Sequence, residues 1–186
     1  MTLSKLLHGD RVRLAALSDL DIEAVANWHQ DTEFLRLFDA LPAYPKTEAE
    51  VQSRIRESRQ DENTLIFAIR TVQDDALVGY LELDGINWHH GVCGLGLAIG
   101  DPVQRGKGYG REATQLALAF AFGELNLHRV QATVFSYNVR SIALFEEVGF
   151  QREGAFREFL QRDGERHDMI LYGLLRHEWT KLDDAG

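Results

Sequence analysis

Residues 11–17, RVRLAAL, alternate polar and apolar side chains with the period of a half-buried strand. Ser18 and Asp21 then stand at capping-box spacing and Leu17 and Ile22 at the spacing of a hydrophobic staple, so the pattern predicts a helix running to about Trp28. Thr47 and Glu50 repeat that start signal, and Val51 and Ile55 give a second helix its apolar stripe. Between the two lies DTEFLRLFDALPAYPK, too aromatic for a mere tether. TLIFAIR (64–70), ALVGYLEL (76–83) and VCGLGLAIG (92–100) read as successive strands, separated by Asp74-Asp75 and by a turn region from Gly85 to Gly91. REATQLALAFAFGEL carries apolar residues on nearly all sides, which predicts a helix packed against a sheet on one side and something else on the other. RVQATVF (129–135) is another strand, and Asn138 caps a short helix that Gly149 stops. FREFLQ and RHDMILYGLL face each other across Asp163-Gly164, a hairpin turn signal. This order of elements predicts an α/β fold with a mixed sheet.

The stretch DPVQRGKGYGREA (101–113) sets three glycines among basic residues just ahead of the buried helix. Gly106, Gly108 and Gly110 leave the backbone free to gather N–H groups round one centre, and the helix beginning near Gly110 adds its positive dipole end. Such a nest binds an anion, with Arg105, Lys107 and Arg111 supplying whole charges; the plainer alternative is a flexible, solvated loop. The spacing excludes two other phosphate motifs. A P-loop needs Ser or Thr after its Gly-Lys, where Gly108 stands, and a dinucleotide fingerprint from Gly106 needs glycine where Arg111 stands.

Arg105, Gly108 and Gly110 do meet the pattern R/Q-x-x-G-x-G/A, directly after a strand and before a buried helix. With NVRSIALFEEVGF (138–150) downstream, the chain resembles the GNAT superfamily of acetyl-CoA-dependent N-acetyltransferases. LVGYLELDGIN (77–87) and the closing EGAFREFLQRDGERHDMILYGLL resemble the branch containing spermidine/spermine and ribosomal-protein N-terminal acetyltransferases. The resemblance implies a mixed, mostly antiparallel central sheet flanked by helices and splayed between the fourth and fifth strands. It implies a single N-acetyltransferase domain over 1–186, with a motif-bearing core at about 64–175. Backbone groups of Arg105, Gly106, Lys107, Gly108, Tyr109 and Gly110, with Arg111, are expected to hold the CoA pyrophosphate. Leu97, Ala98 and Ile99 are expected to pair with the pantetheine arm, and Asn138, Ser141 and Phe145 to lie beside the cofactor.

Acetyl transfer to an amine needs a neutral nucleophile, yet an amine of pKa about 10.4 is neutral in only about one molecule in a few thousand at pH 7. A proton acceptor must be in reach, and Glu82, polar within the otherwise apolar YLEL, is the first candidate base; its other reading is an outward, solvated position. Asp84, His89 and His90 rank below it, the two histidines pointing to opposite faces if they lie in a strand. Relatives of the spermidine branch carry a tyrosine where Phe145 stands, so the proton donor to the leaving thiolate is displaced here. Releasing an unprotonated thiolate of pKa near 8.5 at pH 7 costs about 2 kcal/mol, which water or Ser141 removes. Ser141 is read equally as a donor or as a residue of the helix cap. The Ile99 amide is the oxyanion partner that the resemblance implies. Cys93 has no histidine partner indicated and reads as a small buried residue, and no HExxH or Cys/His set points to a metal.

Composition narrows the partners. A chain of 186 residues with 45% hydrophobic content fills one core, and 29 acidic against 20 basic residues give a net charge of minus 9, which opposes a broad DNA- or RNA-binding face and suits a cationic partner. No uncharged run approaches the ~20 residues of a membrane span, no signal-peptide core is present, and one cysteine agrees with a reducing compartment, so a cytoplasmic location is expected. Asp31, Glu33 and Asp39, with Phe34, Phe38 and Tyr44, form an expected acidic and aromatic groove for an organic cation, a polyamine-like amine or, alternatively, a peptide N-terminus; the plainer alternative is that the acids are solvated and the aromatics fill the core. An acyl-CoA-binding sensor without transferase activity is the rival reading, and the resemblance allows a homodimer or larger assembly.

Overall fold

A computed structural model describes residues 6–183. The expected single domain over 1–186 therefore includes two terminal stretches, 1–5 and 184–186, that lie outside the described residues. Seven strands form one sheet in the order β1-β2-β3-β4-β5-β7-β6. They are β1 (Val12–Ala16), β2 (Leu65–Thr71), β3 (Leu77–Asn87), β4 (Val92–Ile99), β5 (Arg129–Phe135), β6 (Gln151–Arg162) and β7 (Glu165–Leu175). Every neighbouring pair is antiparallel except β4 and β5, which run parallel.

Alternation along the strands sorts side chains to two faces. On one face, Ala68, Tyr80 and Ala98 meet helices α1 (Ile22–Trp28), α2 (Thr32–Phe38) and α3 (Glu48–Gln60) through Ile22, Val25, Phe34, Leu35, Val51 and Ile55. On the other, Leu81, Leu83, Leu95 and Val130 meet α4 (Tyr109–Ala119) and α5 (Val139–Glu147) through Ala113, Ala117, Leu118 and Phe145. Burying one such leucine contributes about 1.5–3 kcal/mol, so the two clusters hold the sheet between its helices.

The start signals work as their spacing predicts. Ser18 donates its amide and hydroxyl to Asp21 (2.7 and 2.8 Å), and Thr47 does the same to Glu50 (2.7 Å each). Asp21 also takes Arg70 at 2.5 Å; burial would raise its carboxyl, but the Ser18 bonds and the Arg70 guanidinium together hold it below the usual carboxylate range. Asp163 and Gly164, both with positive φ (50° and 83°), make the two-residue turn between β6 and β7. After α4 the chain widens into a π-helical turn over Phe120–Glu124, where Phe67 of β2 lies edge-on to Phe120 at 5.6 Å on the sheet side and Trp179 packs against Phe122. Trp179 belongs to α6 (Arg176–Asp183), a helix the pattern did not indicate.

Two local readings are corrected. Strand β3 runs on through Gly85, which sits in a bulge rather than in the turn, and the turn itself spans 88–91. His89 and His90 lie in that turn with their rings edge to face at 4.7 Å, not on opposite faces of a strand.

Candidate active site

Strand β4 is paired with β3 over its whole length, but with β5 only at Val92, Cys93 and Gly94. Beyond Gly94 the two parallel strands diverge. The Gly100 amide donates to Val78 O (3.0 Å), and alternate residues of a strand point the same way, so the amides of Leu97 and Ile99 face away from β3 into the gap. At the end of β4, the Arg105 guanidinium donates to the carbonyls of Ile99 (3.1 Å) and Gly100 (3.0 Å). The Arg105 side chain is thus a brace for the strand end, with its charge directed there.

The loop that follows has the conformation its glycines allow. Gly106 and Gly108 take φ of 77° and 83°, and Gly108 is the residue before α4. The amides of Gly106, Lys107 and Gly108 meet no acceptor among the described residues, and those of Tyr109 and Gly110, in the first turn of α4, have no intrahelical acceptor by geometry. The loop is held from outside. Arg11 donates to Lys107 O at 2.9 Å, and the Glu112 carboxylate accepts the amides of Asp10, Arg11 and Val12 at 2.8, 2.9 and 2.7 Å. These contacts join residues about a hundred positions apart, which no local pattern could display.

A cleft of about 670 Å³ runs from this loop along the open edge of β4 at Leu97, Ala98 and Ile99, with α5 as its other wall, to α2 on the opposite face of the sheet. At the loop end it is lined by the glycines, by Arg111 and by the first turn of α5, where Asn138 accepts the Ser141 amide at 3.2 Å. At the far end Phe34, Leu37 and Phe38 of α2 cover Ala98. Of the expected cofactor residues, Leu97, Ala98, Ile99, Arg105, Gly106, Gly108, Tyr109, Gly110, Arg111, Asn138 and Ser141 line the cleft. Lys107 turns its ammonium to Gln104 instead (2.8 Å), and Phe145 packs against Phe150 and Tyr172 with only 4% of its surface exposed. The sequence reading missed Arg140, an exposed cation on the cleft wall with no partner among the described residues, although its place two positions after the helix cap was a usable signal. Arg111 is shared with Glu147 at 2.9 Å. Amides and cations at one end, with an apolar, strand-edged passage behind them, suit a diphosphate joined to an amide-bearing arm, as in acetyl-CoA.

The candidate base lies on the α3 face of the sheet. Ser58 hydroxyl approaches Glu82 at 3.4 Å, and burial, with the charge of Asp84, raises the Glu82 carboxyl above the usual range against the opposing effect of Arg54. Glu82 does not line the cleft itself; across the sheet it faces Gly96, beside which the space is open. The acids of the expected groove are otherwise engaged. Asp31 caps α2 by accepting the Glu33 amide (2.8 Å), Glu33 is exposed, and Asp39 accepts the Leu41 amide and faces Arg54 at 3.5 Å. Of the groove's expected members, only Phe34 and Phe38 reach the cleft. Cys93 is fully buried, and burial together with Asp84 pushes its thiol up to about 12, which leaves no thiolate for covalent chemistry at neutral pH.

Comparison with known proteins agrees with this architecture. The acetyltransferase (GNAT) domain family matches residues 11–151. The chain is 31% identical to the SPbeta prophage-derived uncharacterized N-acetyltransferase YokL of Bacillus subtilis over 171 residues, covering 92% of this chain and 93% of the relative. It is 26% identical to the ribosomal protein uS5-alanine N-acetyltransferase of Escherichia coli, covering 94% and 92%. Its fold superposes on the spermidine N-acetyltransferase of Vibrio cholerae, solved with CoA and spermine, with a TM-score of 0.83 at 25% identity, covering 92% of this chain and 99% of that one. A domain match over most of the chain, a relative above 30% identity at nearly full length and the splayed mixed sheet converge: the chain belongs to the GNAT family of acetyl-CoA-dependent N-acetyltransferases.

Proposed function

We propose that the protein transfers the acetyl group of acetyl-CoA to the primary amine of a small, polyamine-like cation by direct attack in a ternary complex. The observation that carries this reading is the passage through the sheet, which has free amides and cations at one end and the aromatic cover of α2 at the other. The bound thioester supplies an activated acetyl group. Amides from Gly106 to Gly110, with Arg111 and Arg140, hold the diphosphate, and the open edge of β4 at Leu97 pairs with the amide-bearing arm. The Ile99 amide faces the oxygen that gains negative charge. Glu82 receives the amine's proton through the open space at Gly96, its raised pKa bringing it closer to the working pH than an ordinary carboxylate. Ser141, whose amide is tied to Asn138, stands at the leaving-group side.

A second reading, acetylation of a peptide N-terminus, is favoured by the absence of Asp31, Glu33 and Asp39 from the cleft lining, which leaves its far end aromatic rather than acidic. Calorimetry with acetyl-CoA followed by a free-thiol assay with spermidine, spermine and a peptide beginning with alanine tests both. Thiol release with the polyamines supports the first reading and release with the peptide alone the second. Binding with no amine-dependent release points to a sensor, and no binding removes the whole assignment.

A further inference from the structure

Helix α2 roofs the far end of the cleft, yet it is only seven residues long, too short to hold its shape without outside contacts. Its last carbonyls have no intrahelical donors, and those of Arg36 and Leu37 are met from across the gap. The Tyr137 hydroxyl donates to Arg36 O at 2.5 Å, and the Asn138 side-chain amide donates to Leu37 O at 3.4 Å. Asn138 is also the cap of α5, accepting the Ser141 amide, so one residue closes the end of α2 and opens the helix that walls the donor half of the cleft. The negative end of α2 thereby meets the positive end of α5. Other contacts to the same segment come from farther away: Arg36 pairs with Asp163 at 2.5 Å, and Arg162 donates to the carbonyls of Asp39 and Leu41 at 3.0 and 3.2 Å. These join α2 to the β6–β7 hairpin and do not touch the donor half.

We propose that Tyr137, with Asn138, is a positioning residue that couples the donor half of the cleft to its α2 roof, so that seating CoA against α5 fixes α2 and completes the acceptor end. The inference rests on the cleft taking acetyl-CoA. Occupancy of the cleft immobilises the first turn of α5, and Tyr137 and Asn138 transmit that restraint to the carbonyls of Arg36 and Leu37. By linkage, whatever stabilises α2 in turn favours the donor.

Hydrogen–deuterium exchange of amides 33–41, with and without saturating CoA, measures the coupling directly without knowledge of the acceptor. In the wild-type protein CoA is expected to slow these amides by about fivefold, the change that one net hydrogen bond supports. Tyr137→Phe removes only the hydroxyl and keeps the ring against Phe135 (5.5 Å) and His167 (4.9 Å), so the fold persists. In that variant the CoA-dependent slowing is expected to shrink, only the longer Asn138 bond to Leu37 O remaining. Arg36→Ala is the control: it should raise exchange equally in both states and leave the ratio intact, as a merely structural loosening does. An unchanged ratio in Tyr137→Phe, or no slowing in the wild type, overturns the coupling. Calorimetric absence of CoA binding overturns the parent reading instead, so the two failures are distinguishable.

Discussion

Along its β3 side, β4 has partners from end to end; along its β5 side it has three, and the backbone from Leu95 to Ile99 faces a gap. The two edges belong to one strand, with the same residues and the same geometry, and differ only in what satisfies their amides. An unpaired edge inside a protein would be expensive if it were sealed from polar partners. Here it borders a cleft, and the glycine loop at the cleft's mouth likewise leaves its amides unpaired. The closed edge is therefore the part that folds the molecule, and the open edge the part that meets a ligand.

Disabling the open side should have the largest effect. Gly108→Val places a β-branched residue at a φ of 83° and its Cβ 2.8 Å from the Arg11 guanidinium, so the amide nest cannot keep its shape. Loss of several charge-assisted hydrogen bonds at ~1.5–3 kcal/mol each is expected to weaken acetyl-CoA binding by about a thousandfold or more in calorimetry, with secondary structure retained.

On the closed side, Glu82→Gln should leave acetyl-CoA binding intact and lower kcat at neutral pH by about a hundredfold. Because burial raises the Glu82 pKa, the wild-type acidic limb should lie above the ordinary carboxylate range and be absent in the variant. The same shift fixes the sign for stability. The folded state keeps the proton at pH values where the unfolded chain has released it, so stability is lost as pH rises through the folded pKa. The Gln variant should lack that decline, which melting curves across pH will show.

Smaller effects refine the contrast. Arg140→Ala, removing an exposed cation from the cleft wall, is expected to weaken acetyl-CoA binding about tenfold at low salt and less at high salt. Phe145→Tyr should change turnover by less than about twofold, since position 145 is packed between Phe150 and Tyr172 outside the cleft; the new hydroxyl would need a buried partner and should lower the melting temperature slightly.

The sequence made the closed edge more legible than the open one. Alternation gave the strands, Ser18/Asp21 and Thr47/Glu50 gave two helix starts, and Asp163-Gly164 gave the hairpin, because each is a contact among neighbours in the chain. The positive φ of Gly106 and Gly108 was readable for the same reason. Helix α2 was not, since seven residues give too little periodicity, although Asp31 followed by Phe34, Leu35 and Phe38 carried a cap and part of a stripe. Nor could local pattern reveal that Glu112 gathers the amides of residues 10–12, that Arg105 bonds the strand end, or that Asp39 is held by Arg54. Those depend on where the folded chain returns to itself.

The position of Cys93 makes the chemistry easy to watch. As the chain's one sulfhydryl, sealed in the core and resistant to ionisation, it stays silent toward chromogenic disulfide reagents while the native fold lasts. Colour developed during turnover therefore reports CoA alone, and a delayed extra equivalent per chain marks the moment the sheet comes apart.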